Sequence, residues 1–273
     1  MKKKFNTKVI HSGHGPDKET GAVMPPIHLS STFKQMEPGN FEYEYARTKN
    51  PSRDVLEKLL AQIESGDKAF AFASGMSAIN TVCDLFGTNY HIVCSDDVYG
   101  GTRRLFDKVK SNIDVTYIDF DKNINWNDEI KENTKFIWIE TPSNPLMKII
   151  DIKNTVNIAS EFKLPVICDN TFASPYNQRP LELGADMVVS SSTKYLGGHS
   201  DIVGGSIVIK ENKEYAEKIS FIQNAIGAVD ITSNKPAAVD NAAAKPPAAA
   251  RAITHAGKLA ISGFAKAIIS LLI

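Results

Sequence analysis

Between residues 68 and 224 the chain repeats one alternation. Short runs that are apolar on both faces give way to longer stretches in which apolar residues return every third or fourth position. The runs at 68–73, 91–95, 115–119, 136–140, 165–169, 187–190 and 206–209 read as strands. The stretches at 75–86, 102–110, 126–131, 152–162 and 211–224 read as helices. Strands with no polar face belong to a parallel sheet covered by helices on both sides. The pattern predicts an α/β fold with a mostly parallel sheet between helix layers. In such sheets ligands sit beyond the carboxyl ends of the strands. The polar residues that follow the strands therefore form the candidate site: Ser74, Gly75 and Met76, then residues 97–101, 141–144, Asp169 with Asn170, and 191–194.

The ends of the chain differ. Residues 1–50 are broken by Gly13, Gly15, Pro16, Gly21, Pro25, Pro26, Pro38 and Gly39, and read as extended and irregular. Phe33, Phe41, Tyr43 and Tyr45 make this an aromatic arm that must pack on something, a neighbouring subunit by expectation. Residues 50–53 open a helix with Ser52 as its N-cap, and Val55, Leu56, Leu59, Leu60 and Ile63 form its apolar stripe up to Gly66. From residue 230 the composition turns to Ala, Pro and Lys, which predicts a low-complexity tail, with a short apolar helix at 258–273. The expected organisation is an arm (1–50), an α/β domain (51–229) and an atypical tail (230–273).

Charge and cysteine usage narrow the setting. The formal net charge is zero, so no general attraction to nucleic acid or an acidic membrane is expected. Lys2, Lys3 and Lys4 are followed by Asn6, Thr7 and Lys8 where a secretion signal needs an apolar run. No stretch of about 18 apolar residues offers a membrane span. Cys83, Cys94 and Cys168 are scattered in apolar surroundings without metal-ligand spacing, and read as buried thiols of a reduced cytoplasm.

The chemistry gathers around residues 190–201. Lys194 lies between two strands, with hydroxyls at Ser191 and Thr193 and glycines at 197 and 198. A half-buried lysine in such a place sheds its proton readily and can attack a carbonyl carbon. Asp169 closes a strand, and a buried carboxylate needs a cation, which a protonated pyridine nitrogen would supply. Ser74, Gly75 and Met76 join a strand to a helix, so backbone N–H groups and the helix dipole offer a phosphate seat, to which Ser191 and Thr193 add hydroxyls. Tyr99 offers a flat ring. An aldehyde-reactive amine, a carboxylate for a ring nitrogen, a phosphate seat and a stacking ring are what a protein supplies to pyridoxal 5′-phosphate (PLP). Neither a GxxxxGK[ST] loop nor a GxGxxG turn follows a strand, which argues against a nucleotide-binding sheet.

Residues 191–201, 140–145 (ETPSNP), 169–172 (DNTF), 99–102 (YGGT) and 45–51 (YARTKNP) resemble the Cys/Met-metabolism family of PLP enzymes, over about residues 7–229. The resemblance implies the aspartate-aminotransferase-like fold, called fold type I. It implies that Lys194 carries the cofactor covalently and moves protons between substrate carbons. Asp169 would pair with the ring nitrogen and Asn144 with the ring hydroxyl. Gly75, Met76, Ser191 and Thr193 would hold the phosphate, and Tyr99 would stack on the ring and act as a base. Arg104 would lie near the substrate. Tyr45 and Arg47 would reach the phosphate of a neighbouring subunit, so the site would be complete in a dimer, within a homotetramer.

The activity implied first is gamma-replacement on an O-acylated homoserine by cysteine, giving cystathionine for methionine biosynthesis. Cystathionine gamma-lyase comes second. Tyr99-Gly100-Gly101 argues against the beta-lyase branch, Gly101 against methionine gamma-lyase, and residues 221–227 resemble bacterial gamma-synthases and gamma-lyases. Past about Val229 nothing matches the family's C-terminal domain, which predicts a frameshifted, chimeric or truncated copy. A cofactor-binding remnant with impaired catalysis is the third expectation.

Overall fold

The computed structural model describes residues 4–229; the tail expected from residue 230 lies outside the described residues. In chain order the helices are α1 (Phe5–His11), α2 (Pro51–Ile63), α3 (Gly75–Leu85), α4 (Gly100–Arg104), α5 (Trp126–Glu129), α6 (Ile152–Glu161), α7 (Ser174–Asn177) and α8 (Lys213–Ile226). The strands are β1 (Lys68–Phe72), β2 (Tyr90–Ser95), β3 (Ile113–Ile118), β4 (Thr134–Glu140), β5 (Val166–Asp169), β6 (Met187–Ser190) and β7 (Gly205–Ile209). They form one sheet in the order β1-β7-β6-β5-β4-β2-β3. β7 runs antiparallel to both its neighbours and the other pairings are parallel, so the sheet is mostly parallel, as expected.

Burial on both faces explains the uninterrupted apolar runs. Along β1, Phe70 and Phe72 join Ile79 and Val82 of α3 and Ile219 of α8, while Ala69 and Ala71 face Leu59, Leu60 and Ile63 of α2. Along β4, Phe136 and Trp138 belong to the first layer, and Ile137 and Ile139 pack with Ile152 and Ala159 of α6 on the second. Period-two alternation between two apolar layers leaves no polar position to read. The three cysteines are free and buried, and burial pushes the Cys83 thiol up to about 12. Among the described residues no helix is long and apolar enough to cross a membrane.

Three local expectations are corrected. The arm is not wholly irregular: α1 forms because Phe5 and Val9 pack onto the face of α2. The N-cap of α2 is Asn50 and not Ser52, its side chain accepting from the N–H groups of Ser52 at 2.9 Å and Arg53 at 3.3 Å. Pro51 at the first helical position needs no N–H partner, which moves the start two residues upstream. The Ser52 hydroxyl instead accepts from the His28 N–H at 2.9 Å. The helix expected at 102–110 is α4 followed by a π-helical turn, Leu105–Val109, closed by the Lys110 N–H on the Leu105 carbonyl at 2.8 Å.

Six strands end at the same edge, where β7 begins. There the chain is packed to contact: a Cβ on Gly205 would lie 2.2 Å from the Ser74 carbonyl oxygen and 2.7 Å from the Gly75 nitrogen. Both are backbone atoms with no rotamer to yield. Gly205→Ala is therefore expected to cost about 1–3 kcal/mol by overpacking. Urea denaturation checks this, and an unchanged midpoint would show the seam to be pliable.

Candidate active site

At that edge lies a pocket of about 210 Å³. Its lining brings together nine of the expected residues: Ser74, Gly75, Met76, Tyr99, Asn144, Asp169, Ser191, Thr193 and Lys194. They come from five different connections, so only the sheet topology makes them neighbours.

The floor is acidic. Asp169 ends β5 and is 6% exposed. Its Oδ1 accepts from the Thr171 N–H at 3.0 Å. Burial pushes its carboxyl up, against the pull of the Thr171 bonds. Glu140 ends β4 directly opposite Asp169 in the sheet register. Burial pushes the Glu140 carboxyl well up and the Asp169 charge adds to it, against the pull of the Tyr99 and Asn144 N–H groups. Two carboxyls side by side in a dry floor favour a positive group above them.

One wall is the start of α3. The Ser74 hydroxyl caps it, accepting from the Ser77 N–H at 3.0 Å. A Cβ on Gly75 would lie 2.8 Å from the Ser191 Cβ, so the glycine lets the helix start press against the strand-to-strand connection. The Ser191 N–H donates to the Thr171 hydroxyl at 2.9 Å. Thr171 thus ties the carboxylate floor to the hydroxyl wall. The Thr193 hydroxyl is engaged with Gly204, donating to its carbonyl at 3.2 Å and accepting from its N–H at 3.0 Å. That pair closes the base of the connection on which Lys194 sits.

Lys194 lies at the pocket rim in the connection from β6 to β7, and is exposed, not half-buried as the sequence suggested. Tyr99, at the N-terminus of α4, is 44% exposed and also lines the pocket.

Three expected residues are not in the lining. Arg104 is exposed on α4. Arg47 reaches the end of α8, where its Nη1 donates to the Asn224 carbonyl at 2.6 Å. Tyr45 stays beside Arg47, 5.5 Å from guanidinium carbon to ring centroid. The arm is held to its own chain by Arg53, which is 3% exposed and donates to the carbonyls of Ala46 at 2.8 Å and Thr48 at 2.7 Å. Conversely, Glu140, Thr171 and Phe172 line the pocket without having been given a role from sequence. All three lie inside recognisable motifs, but Glu140 and Thr171 work through backbone N–H groups, which no residue pattern displays.

The family model for Cys/Met metabolism PLP-dependent enzymes matches residues 6–235. A cystathionine beta-lyase of Lactococcus lactis subsp. cremoris (strain MG1363) is 50% identical over 228 residues, 82% of this chain and 60% of that protein. A probable cystathionine gamma-synthase of Herpetosiphon aurantiacus is 48% identical over 82% of this chain and 71% of that one. The solved structure of cystathionine gamma-lyase from Lactobacillus plantarum, complexed with L-serine, superposes with a TM-score of 0.83 at 44% identity, covering 88% of this chain and 63% of that chain. The chain spans about 60% of the length of the first curated relatives it matches. Relatives named beta-lyase stand at 47–50% identity, so the argument from Tyr99-Gly100-Gly101 against that branch gains no support. With sequence, fold and pocket in agreement, the chain belongs to the Cys/Met metabolism family of PLP-dependent enzymes.

Proposed function

We propose that this pocket holds PLP on Lys194, and that the chain serves an enzyme that makes or breaks the thioether bond of a cystathionine-type amino acid. One observation carries this reading: a rim amine, a buried carboxylate and a glycine-opened helix start meet in one pocket at the carboxyl edge of the sheet. The residues fit the cofactor. Asp169 is a buried carboxylate whose environment calls for a cation, which a protonated ring nitrogen is. The α3 start, with Gly75 and Met76 lining the pocket, suits a phosphate, with Ser191 adding its hydroxyl.

When bound, PLP supplies a sink for the electrons left on substrate carbon after a proton is lost. The remaining work falls to side chains. Lys194 would hold the cofactor as its covalent anchor and carry protons between neighbouring substrate carbons. Asp169 would hold the ring nitrogen protonated, and Asn144 would bond the ring hydroxyl. Tyr99 would stack on the ring and take a proton from the incoming amine. Arg104 meets the substrate. Tyr45 and Arg47, exposed on the arm, would serve the phosphate of a second copy, as the family resemblance implies.

The first specific activity is gamma-replacement: the sulfur of cysteine bonds to Cγ of an O-acylated homoserine, and the acyl group leaves as a carboxylate with the thiol proton. The relative named gamma-synthase supports it. Gamma-elimination of cystathionine, which with one water gives cysteine, a 2-oxo acid and ammonia, is the second, supported by the superposition on a gamma-lyase. The PLP-loaded chain, given O-acetyl- or O-succinylhomoserine with cysteine, and separately cystathionine, should yield cystathionine in the first case or cysteine with 2-oxobutanoate in the second. Homocysteine with pyruvate would replace both by beta-elimination. A loaded chain that turns over none of them would leave cofactor binding as its capacity.

A further inference from the structure

Glu140 is the one pocket-lining carboxylate that the mechanism above leaves without a task. It is 4% exposed at the end of β4. Its Oε2 accepts from the Tyr99 N–H at 2.8 Å and its Oε1 from the Asn144 N–H at 2.8 Å. Its own N–H donates to the Ser95 hydroxyl at 3.3 Å. The two residues it holds sit on separate connections, one after β2 and one after β4. Both oxygens are used as acceptors.

We propose that Glu140 is a positioning residue that sets the spacing between Tyr99 and Asn144 across the cofactor. This rests on the reading that those two side chains face PLP. Glu140 itself reaches them through their backbone. A carboxylate suits this bridge because it presents two acceptors at fixed separation and no donor. Glutamine cannot replace it: its amide nitrogen would face a backbone N–H, donor against donor, and one connection would be released. Aspartate keeps the charge but is one methylene too short to span both. The two connections stay joined without Glu140, because Asp97 accepts from the Ser143 hydroxyl and from the Leu146 N–H, the latter at 2.9 Å. Glu140→Gln should therefore fold.

The test is PLP titration of apo protein, followed by absorbance, with melting recorded in parallel. Glu140→Gln should bind PLP about 10- to 100-fold more weakly, the loss of one charge-assisted hydrogen bond. Glu140→Asp should weaken it as well, and both should shift the absorption band of the bound cofactor. A merely structural residue would lower the melting temperature and leave affinity and band unchanged. Binding by Glu140→Gln within twofold of the parent would overturn the proposal. Should both variants fail to fold, hydrogen exchange on the unaltered apo chain decides it. The Tyr99 and Asn144 amides should be protected together, and free-peptide exchange at either overturns the bridge. A parent chain that takes up no PLP would refute the cofactor reading, and amide exchange would still judge Glu140.

Discussion

Lys194→Ala should leave a folded chain that forms no borohydride-stable adduct with PLP. Lys194 is exposed in the connection between β6 and β7, so its truncation removes no core contact and should change stability by no more than about 0.5 kcal/mol. The effect falls on chemistry. An amine that bonds the cofactor and then shuttles protons acts in every step, and deleting such a nucleophile lowers turnover by at least about a thousandfold. The adduct is read without substrate, so it does not depend on which amino acid the enzyme takes. Lys213, 89% exposed and paired with Glu217 on α8, is the natural control, and Lys213→Ala should retain the adduct. A variant at 194 that still yields it, at parental stoichiometry, would place the anchor elsewhere.

Asp169→Asn should separate affinity from stability. The carboxylate is buried at the pocket floor, and removing one partner of a buried pair costs about 3–5 kcal/mol, so PLP should bind at least about 100-fold more weakly. Without cofactor the sign reverses. Burial raises the folded pKa of Asp169 above its unfolded value. As pH rises from the ordinary carboxylate range, the unfolded chain gives up this proton before the folded chain does, so apo stability falls through that window. Asparagine has no proton to lose. The apo variant should therefore show a shallower decline of melting temperature with pH than the parent, while holding PLP poorly. Equal slopes would mean that Asp169 is already neutralised by another group.

Much of this was open to reading in the sequence, for physical reasons that also mark the limits. β4 and β5 are buried on both faces, so their apolar runs stood out and their ends located Asp169 within the site. The five residues of β7 carry no sign of direction, and only pairing shows that it runs against its neighbours. The residue pattern points to Ser52 as the cap of α2, but its hydroxyl is taken by the His28 N–H, 24 residues away, and Asn50 caps the helix instead. α1 exists through its contact with α2, not through a pattern of its own. Glu140 and Thr171 serve the site by accepting from backbone N–H groups as far as 41 residues off, which leaves no mark in composition or spacing. Arg104, Tyr45 and Arg47 came from family likeness alone, and the fold keeps them outside the pocket of their own chain.

The most direct measurement is peptide mapping of the unaltered chain after incubation with PLP, reduction by borohydride and digestion. One pyridoxyl group per chain, on the peptide that contains Lys194, is the predicted result. A colourless protein with no adduct, or a label spread over other lysines while Lys194 stays unmodified, would contradict it.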